Sequence, residues 1–453
     1  MFYQVPEIDE RLFPGARKYR EIFYPDEIRE DAGHYFPYSE RHLQALWFDD
    51  SLRPTGLKTL HGEPVTVETP GRWNLEAGPD FHSAVLRVGR DRRRVAGDTE
   101  IHIFPNDWKS HKHQHDPRYA GVRFHITWFS GKVDPSQFPP GTIHISLSDI
   151  CTIDLDSIDV TAYPYSEPRA STVFPMSGKN PDEIVQILEN AGQERLRQKA
   201  RRVAWLMSSH GPAQALYEET AAALGYENNK APFRRLAQVM PLTALGRYET
   251  DWETAYAVLL GISGLLPRQA GKKWNVESKS YFRLLWDCWW REEHIWEDVP
   301  RMSRVDWNLA GLRPLNHPVR RLCALSQWVA SGFFQSLEKP GIAVPQKFQP
   351  LGQCFWSLHL GWIGTNAKAA LVGIGRLRTM ELNVLVPFRL AQGDQSALNE
   401  LLAEPVNSLI KETAYTLFGP DHSPKLYRSA LARQGLIQIF NDFILPGRLD
   451  DLI

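Results

Sequence analysis

Several things are scarce in this chain, and each scarcity excludes a class of protein. There are only four cysteines (Cys151, Cys288, Cys323, Cys354), none in C-x-x-C spacing, so a disulfide scaffold and a thiolate zinc site are both excluded. They are expected to be reduced, mostly buried thiols of a cytoplasmic protein. No run of about eighteen apolar residues exists, so no membrane-spanning helix is expected. The opening M-F-Y-Q-V-P-E-I-D-E-R is too interrupted by acids and proline for a signal peptide. An excess of one charge is missing too. The 52 Lys and Arg against 53 Asp and Glu leave −1, which gives no global attraction to a polyanion, although local basic patches can still bind phosphate. The patterns G-x-x-x-x-G-K-[ST], strand–G-x-G-x-x-G–helix and G-x-S-x-G are absent, which leaves ATP, dinucleotide and serine-hydrolase chemistry unsupported.

What is present is enough for substantial cores. A length of 453 residues with 43% hydrophobic content and 15 Trp points to two or three folded domains. Residues 1–36 mix Pro, Gly, aromatics and charge without a period, and are expected to form an irregular arm that packs by its aromatics. Residues 39–50 predict a helix, with Ser39 able to cap and Leu43, Leu46 and Trp47 at helical spacing. From 57 to 150 the pattern turns strand-like, with a hairpin turn at His61-Gly62 and a second strand pair joined by a basic turn from Gly89 to Arg94. Val122, Phe124, Ile126 and Trp128 alternate with Arg123, His125 and Thr127, the pattern of a half-buried strand, and T-I-H-I-S-L-S continues the sheet.

Residues 154–179 resemble a linker, and Asn180-Pro181-Asp182-Glu183 is a strong helix start for a segment running to about Ser208. The expected fold is α+β. An arm (1–36), a β-rich domain that could take an αβ nuclease-like form (37–153) and a linker (154–179) precede a mostly α-helical domain (180–453). Trp-rich runs such as Y-F-R-L-L-W-D-C-W-W are expected to be core, and Arg313 and Arg320 are expected to serve structure more than ligand binding.

The chemistry concentrates between Asn74 and His125. Asp80, Glu100, His102, Asp107, His111, His113, His115 and Asp116 fall within about fifty residues, many beside apolar strand segments. Glu100 and His102 are two apart on one strand and leave the same face, while Ile101 and Ile103 point the other way. Asp80 follows Gly78-Pro79 at the mouth of a strand, where a turn can aim it at Glu100 or simply be stabilised by it. Carboxylate oxygens with water suit Mg²⁺ or Mn²⁺, the ions expected here ahead of Zn²⁺. His111, His113 and His115 alternate and would share a face if extended, which would suit Zn²⁺; in a loop they would diverge. A polar exposed turn is the plainer reading of that run, and His125 and His144 could equally be structural hydrogen-bonding residues.

At these residues the chain resembles a bacterial family known as a domain of unknown function, DUF2851. The likeness lies in A-G-P-D-F, G-D-T-E-I-H, D-W-x-x-H-x-H-x-x-D-x-x-Y and F-H-I-T, then N-x-x-P-F (Asn229 to Phe233), G-L-R-P-x-N-x-P-x-R-R-L (Gly311 to Leu322) and N-x-x-x-P-F (Asn383 to Phe388). It runs from about residue 40 onward. The family's cysteine-containing tail is not matched by R-Q-G-L-I-Q-I-F-N-D-F. A weaker similarity links Pro79-Asp80 and Glu100-Ile101-His102 to the PD-(D/E)XK nucleases, with His102 where those enzymes carry Lys.

That likeness implies a divalent cation on Asp80 and Glu100, with His102 or His113 orienting or deprotonating water and Glu40 standing for a first-helix carboxylate. Asn74, His111, His115, Asp116 and His125 are further candidates. The basic turn with Arg92 and Arg94, and a helix face with Arg197 and Arg201, would meet a nucleic-acid backbone. Three functions follow: a metal-dependent phosphodiesterase or nuclease-like enzyme, a non-catalytic binding or scaffold protein on a degenerate nuclease-like fold, or a cupin-like metalloenzyme using His111, His113 and His115.

Overall fold

The structure is a computed structural model that describes residues 8–24, 36, 38–75, 78–155, 158–164, 174–226, 228–338, 344–345, 347–363, 368–445 and 449–452. Residues 1–7 and 25–35 of the expected arm, and 156–157 and 165–173 of the expected linker, lie outside the described residues. The chain is α+β, with a six-stranded mixed sheet in the N-terminal part and helices dominating the rest. Packing divides it into two units, one built on Pro14–Arg195 with Val406–Ile453 and the other on Leu196–Pro405 with Val5–Phe13. The helical region beyond residue 180 is therefore shared between the units. Its last helices find their apolar partners in the first one: Ile410, Ala414, Leu417 and Ile439 pack with Tyr19, Ile184 and Leu188.

Part of the expected irregular arm is helical. Pro14–Phe23 forms α1, which starts on a proline whose missing N–H costs nothing there and buries Ala16 and Tyr19. Glu40–Phe48 forms α2, burying Leu43, Leu46 and Trp47. Ser39 holds the N-cap position, but its hydroxyl meets His42 Nδ1 at 3.1 Å instead of capping a backbone N–H.

The strands are β1 (Val65–Thr69), β2 (Arg72–Trp73), β3 (Phe81–Val88), β4 (Arg93–His102), β5 (Val122–Thr127) and β6 (Ile143–Ser146). Their order is β1-β3-β4-β5-β6, with β2 beside the start of β3. β1, β2 and β4 run antiparallel to β3, while β5 is parallel to β4 and β6 to β5. The turn at His61-Gly62 is present, with Gly62 at φ +82°, although the first half of that hairpin is only a bridge between Lys58 and Pro64.

Parallel pairing requires a crossover. Residues 103–121 supply the first one, through the short helix α3 (Asp107–Ser110) and two tight 3₁₀ turns, His113–His115 and Pro117–Gly121.

Register then sorts the two faces. Ile101, Ile126 and Ile145 form one row, in a core with Leu43, Leu46 and Trp47 of α2. Glu100, His125 and His144 form the matching row on the opposite face. The pattern of β5 predicts a half-buried strand, yet His125 and Thr127 are 0% and 4% exposed. An interior strand has neighbours on both edges, and the crossover brings Trp108 and Tyr119 over its second face.

In the rest of the first unit, α4 (Pro181–His210) begins where the sequence places it, with Asn180 Oδ1 accepting from the Asp182 N–H at 2.9 Å. Its residues up to Arg195 cross the helix Ala430–Ile439 closely. A methyl on Gly192 would overlap the Leu431 carbonyl, and one on Gly435 would overlap the Leu188 carbonyl, so glycine on both helices permits the approach. Tyr19 donates its hydroxyl to Asp442 Oδ2 at 2.8 Å, and the Gln438 amide donates to both oxygens.

The second unit is a helical core around Tyr217, Tyr256, Leu259, Trp289, Leu322 and Trp328. In the Trp-rich run Tyr281, Leu285, Cys288 and Trp289 are core and Phe282 and Trp286 half-buried, while Leu284 and Trp290 are exposed. Arg320 is structural, donating to the carbonyls of Trp356, His359, Ala369 and Ala370. Among the described residues no helix is long and apolar enough to cross a membrane.

Two outcomes follow from the first unit's helices. Gly435→Ala should lower stability by about 1–3 kcal/mol, because backbone must move to admit the methyl; urea unfolding measures it. Burial pushes the Asp442 carboxyl up to about 6. A raised carboxyl contributes stability that is full below about pH 4 and is lost as pH rises through about 6. The stability difference between the parent and Asp442→Asn should therefore shift against the parent between pH 4 and 7, and a flat difference would refute the assignment.

Candidate metal centre

The turn before β3 sets Asp80 in place. Gly78 sits at φ +132°, a conformation open to glycine, while the Asn74 backbone N–H donates to the Asp80 carbonyl at 2.8 Å and the Asn74 side chain to the Pro79 carbonyl at 2.9 Å. Phe81 pairs with Thr99, which puts Asp80 opposite Glu100. Two hydrogen bonds tie the strands here: the Asp80 N–H donates to Glu100 Oε2 at 3.1 Å, and the Ile101 N–H donates to Asp80 Oδ2 at 2.8 Å. From α2, Gln44 Nε2 donates to Asp80 Oδ1 at 2.6 Å. Arg41 donates to Gln44 Oε1 at 3.3 Å while its guanidinium lies 4.2 Å over the Trp73 ring. Both Asp80 oxygens are thus engaged, and the residue works as a clamp between α2, β3 and β4.

The other Glu100 oxygen faces the histidines. Glu100 Oε1 is 3.1 Å from His113 Nε2 and 3.5 Å from His102 Nε2, and those two nitrogens are 3.2 Å apart. His113 reaches this point because Lys112 adopts φ +61°, a left-handed conformation that reverses the chain between α3 and the next turn. His111, at the end of α3, brings a ring nitrogen within 4.8 Å of those of His102 and His113. Tyr119 stacks on His113 with ring centroids 3.8 Å apart. Trp108 lies beneath His113 and His125 at 5.3 and 5.8 Å and anchors its indole N–H on the Gln137 carbonyl at 2.8 Å.

Behind the cluster runs a chain of imidazoles. His102 Nδ1 meets His125 Nε2 at 2.9 Å, and His125 Nδ1 meets His144 Nδ1 at 3.2 Å. A tautomer that keeps the His102 Nε2 lone pair toward Glu100 and His113 would have its Nδ1–H donate to His125, whose Nδ1–H would donate to His144. Each ring then carries a single proton.

Burial pushes the Asp80 carboxyl well above the usual carboxylate range, with the Glu100 charge adding to it against the Ile101 N–H, Arg41 and Gln44. Burial raises Glu100 likewise. It lowers His102, with the adjacent imidazoles contributing, and holds His113 at about 4, His125 at about 3 and His144 at about 4. Burial therefore favours uncharged donors throughout, the state of the imidazoles that metal ligation requires.

The candidates from the sequence separate clearly. Asp80, Glu100, His102, His111, His113 and His125 come together, and Asn74 shapes the turn that holds Asp80. His115 is exposed on its short 3₁₀ turn and does not join the group. Asp116 caps the following turn, accepting from the Arg118 N–H at 2.9 Å, and Asp107 accepts from the Phe104 N–H at 2.7 Å. The three alternating histidines do not share an extended face, because α3 and a 3₁₀ turn replace the strand that would require.

On α2 the residue bonded to Asp80 is Gln44, one turn after Glu40. Arg92 and Arg94 sit at the opposite end of the β3–β4 pair, about 20 Å of strand from Glu100, and Arg94 pairs with Glu68. Arg197 is 5% exposed and paired with Glu10 at 2.9 Å in the second unit, which also holds Arg201. Gln44, Tyr119 and Trp108 were not among the sequence candidates. Gln44 could have been found as the residue four after Glu40 on the same helical face.

No curated protein and no solved structure matches this chain. One family model does, over residues 40–414, which include α2, every strand, the histidine cluster and most of the helical second unit. The chain belongs to the family described as "Protein of unknown function (DUF2851)".

Proposed function

We propose that this protein is a metal-dependent hydrolase acting on phosphodiester bonds, with Glu100, His102 and His113 holding the ion and His111 and Asp80 beside it. The observation that carries the reading is the triangle of donor atoms, with edges of 3.1, 3.5 and 3.2 Å. Ligands at about 2.0–2.1 Å around a tetrahedral ion stand about 3.3–3.4 Å apart, so the residues already have the spacing an ion needs. The two nitrogens and one carboxylate oxygen favour Zn²⁺ or Mn²⁺ over Mg²⁺, a shift from the carboxylate-only pair of Asp80 and Glu100.

Bound there, a divalent ion would supply Lewis acidity and a water acidic enough to serve as a nucleophile near neutral pH. The chain's own residues do the positioning. His125 fixes the orientation of His102, Tyr119 and Trp108 fix His113, and the Gln44–Asp80 clamp holds the strand that carries Glu100. Lys112, exposed and between His111 and His113 in the chain, is a cation suited to a phosphate oxygen. Support for the phosphodiester class comes from the order of parts: a helix, an antiparallel pair with Asp at one strand mouth and E-x-H on the next, then a crossover to a parallel strand. This is similar to the nuclease pattern.

Metal binding to purified full-length protein, titrated with Zn²⁺ and Mn²⁺ by calorimetry, should show one equivalent per chain. Glu100→Gln and His113→Ala should each weaken it by at least about 10-fold, and His125→Ala by about 10- to 100-fold through the misoriented His102. Cleavage of single-stranded, double-stranded or branched DNA with Mn²⁺ should be lost in the same variants. Unchanged binding in Glu100→Gln and His113→Ala would sink the site. Intact binding with no cleavage of any phosphodiester would sink the hydrolase and favour a scaffold.

A further inference from the structure

A second reactive group lies in the helical unit, unrelated to the histidine centre. Cys323 is fully buried on the helix Pro318–Ala330, and Cys354 is half-buried just before the short helix Phe355–Leu358. Their sulfurs are 3.6 Å apart. The neighbouring short helix fixes Cys354: its N–H donates to Ser357 Oγ at 3.2 Å, its carbonyl accepts from the Ser357 N–H at 2.9 Å, and Ser357 Oγ lies 3.6 Å from its sulfur.

One turn before Cys323, Arg320 is 0% exposed, and its guanidinium donates to carbonyls, including those of Trp356 and His359 on either side of that helix's end. Among the described residues it has no carboxylate partner, and its Nε has no hydrogen-bond partner. A buried cation without an anion is costly, and the groups near it able to take up negative charge are the two thiols and the Tyr256 phenol, of which a thiol gives up its proton more readily. The Cys323 thiol and the Ser357 groups hold the Cys354 thiol down to about 6 in spite of its burial. Burial raises Cys323.

We propose that Cys323 and Cys354 form a peroxide-reactive dithiol, with Cys354 as the attacking sulfur and Cys323 as the resolving one. Cys354, having given its proton to water, attacks one oxygen of hydrogen peroxide or an organic hydroperoxide. The S–O bond forms, the O–O bond breaks, and the departing oxygen leaves as water or alcohol after taking a proton. Cys323 then attacks the sulfenic sulfur, the S–S bond forms, and the hydroxyl leaves with the Cys323 proton as water. The two sulfurs give up two electrons and the peroxide takes both. Closing the pair asks the sulfurs to approach by about 1.6 Å to the disulfide distance. The bond would tie the helix Pro318–Ala330 to the segment that Arg320 already holds by its carbonyls.

The test uses reduced full-length protein treated with a few equivalents of hydrogen peroxide, then alkylated under denaturing conditions and mapped by mass spectrometry. Two of the four thiols should disappear, a Cys323–Cys354 cross-linked peptide should appear, and dithiothreitol should restore all four. The oxidised protein should melt at a higher temperature. In Cys323→Ser, oxidation should stop at a sulfenic acid on Cys354 that dimedone captures. The proposal is overturned if four thiols survive in the parent protein, if the cross-link uses Cys151 or Cys288, or if Cys354 accumulates as sulfinic acid with Cys323 still free. The peptide map of the parent decides the matter even where a variant folds poorly.

Discussion

The in-register parallel pairing of β4, β5 and β6 is the constraint on which the rest depends. It aligns Ile101, Ile126 and Ile145 against α2 and, by the same act, aligns Glu100, His125 and His144 on the reverse face. A slip of one residue would send imidazoles into an aliphatic core and isoleucines into a polar one. Both errors bury polar groups without partners, which costs several kcal/mol in all. Register and polar content therefore enforce one another: the histidines can be buried because they meet each other, and they meet because the isoleucine row fixes the strands.

The first unit satisfies its buried acids by reciprocity. Asp80 and Glu100 each accept a backbone N–H at the place where β3 and β4 begin and end, so the carboxylates help close the sheet as well as face the cluster. A candidate site built into strand ends, with Gln44 and Arg41 behind it, is rigid before any ligand arrives. The second unit solves a like problem in the opposite way, by sinking the Arg320 guanidinium among carbonyl oxygens.

Much of this was legible in the residues. Period-two alternation placed Glu100 and His102 on one face and Ile101 on the other, and Gly78-Pro79 marked the turn that aims Asp80. Other features could not be read locally. That His125 and His144 share the face of Glu100 depends on parallel pairing across a crossover, and a single strand's pattern does not choose its neighbours. The meeting of His111 and His113 without His115 depends on one left-handed residue, Lys112, and lysine carries no such signal. α1 was hidden by the Pro14-Gly15 pair at its start, which reads as a turn, although the ten residues are strongly amphipathic. The remoteness of Arg92 and Arg94 was, by contrast, available from hairpin geometry alone, since a hairpin's turn lies at the end opposite its open strand mouths.

The division of the chain has a consequence for the order in which the protein takes shape. The sheet and its core are contained within residues 43–158, so their contacts are available early in synthesis. The helical cluster of the same unit is not: Tyr19, Ile184 and Leu188 wait for Ile410, Leu417, Leu436 and Phe443. Between them the ribosome delivers Leu196–Pro405, nearly the whole of the second unit. At synthesis rates of roughly 5–20 residues per second, the apolar face of α1 and early α4 stays uncovered for on the order of ten seconds or more after it emerges. That interval is when a chaperone, or an unwanted partner, would find this protein.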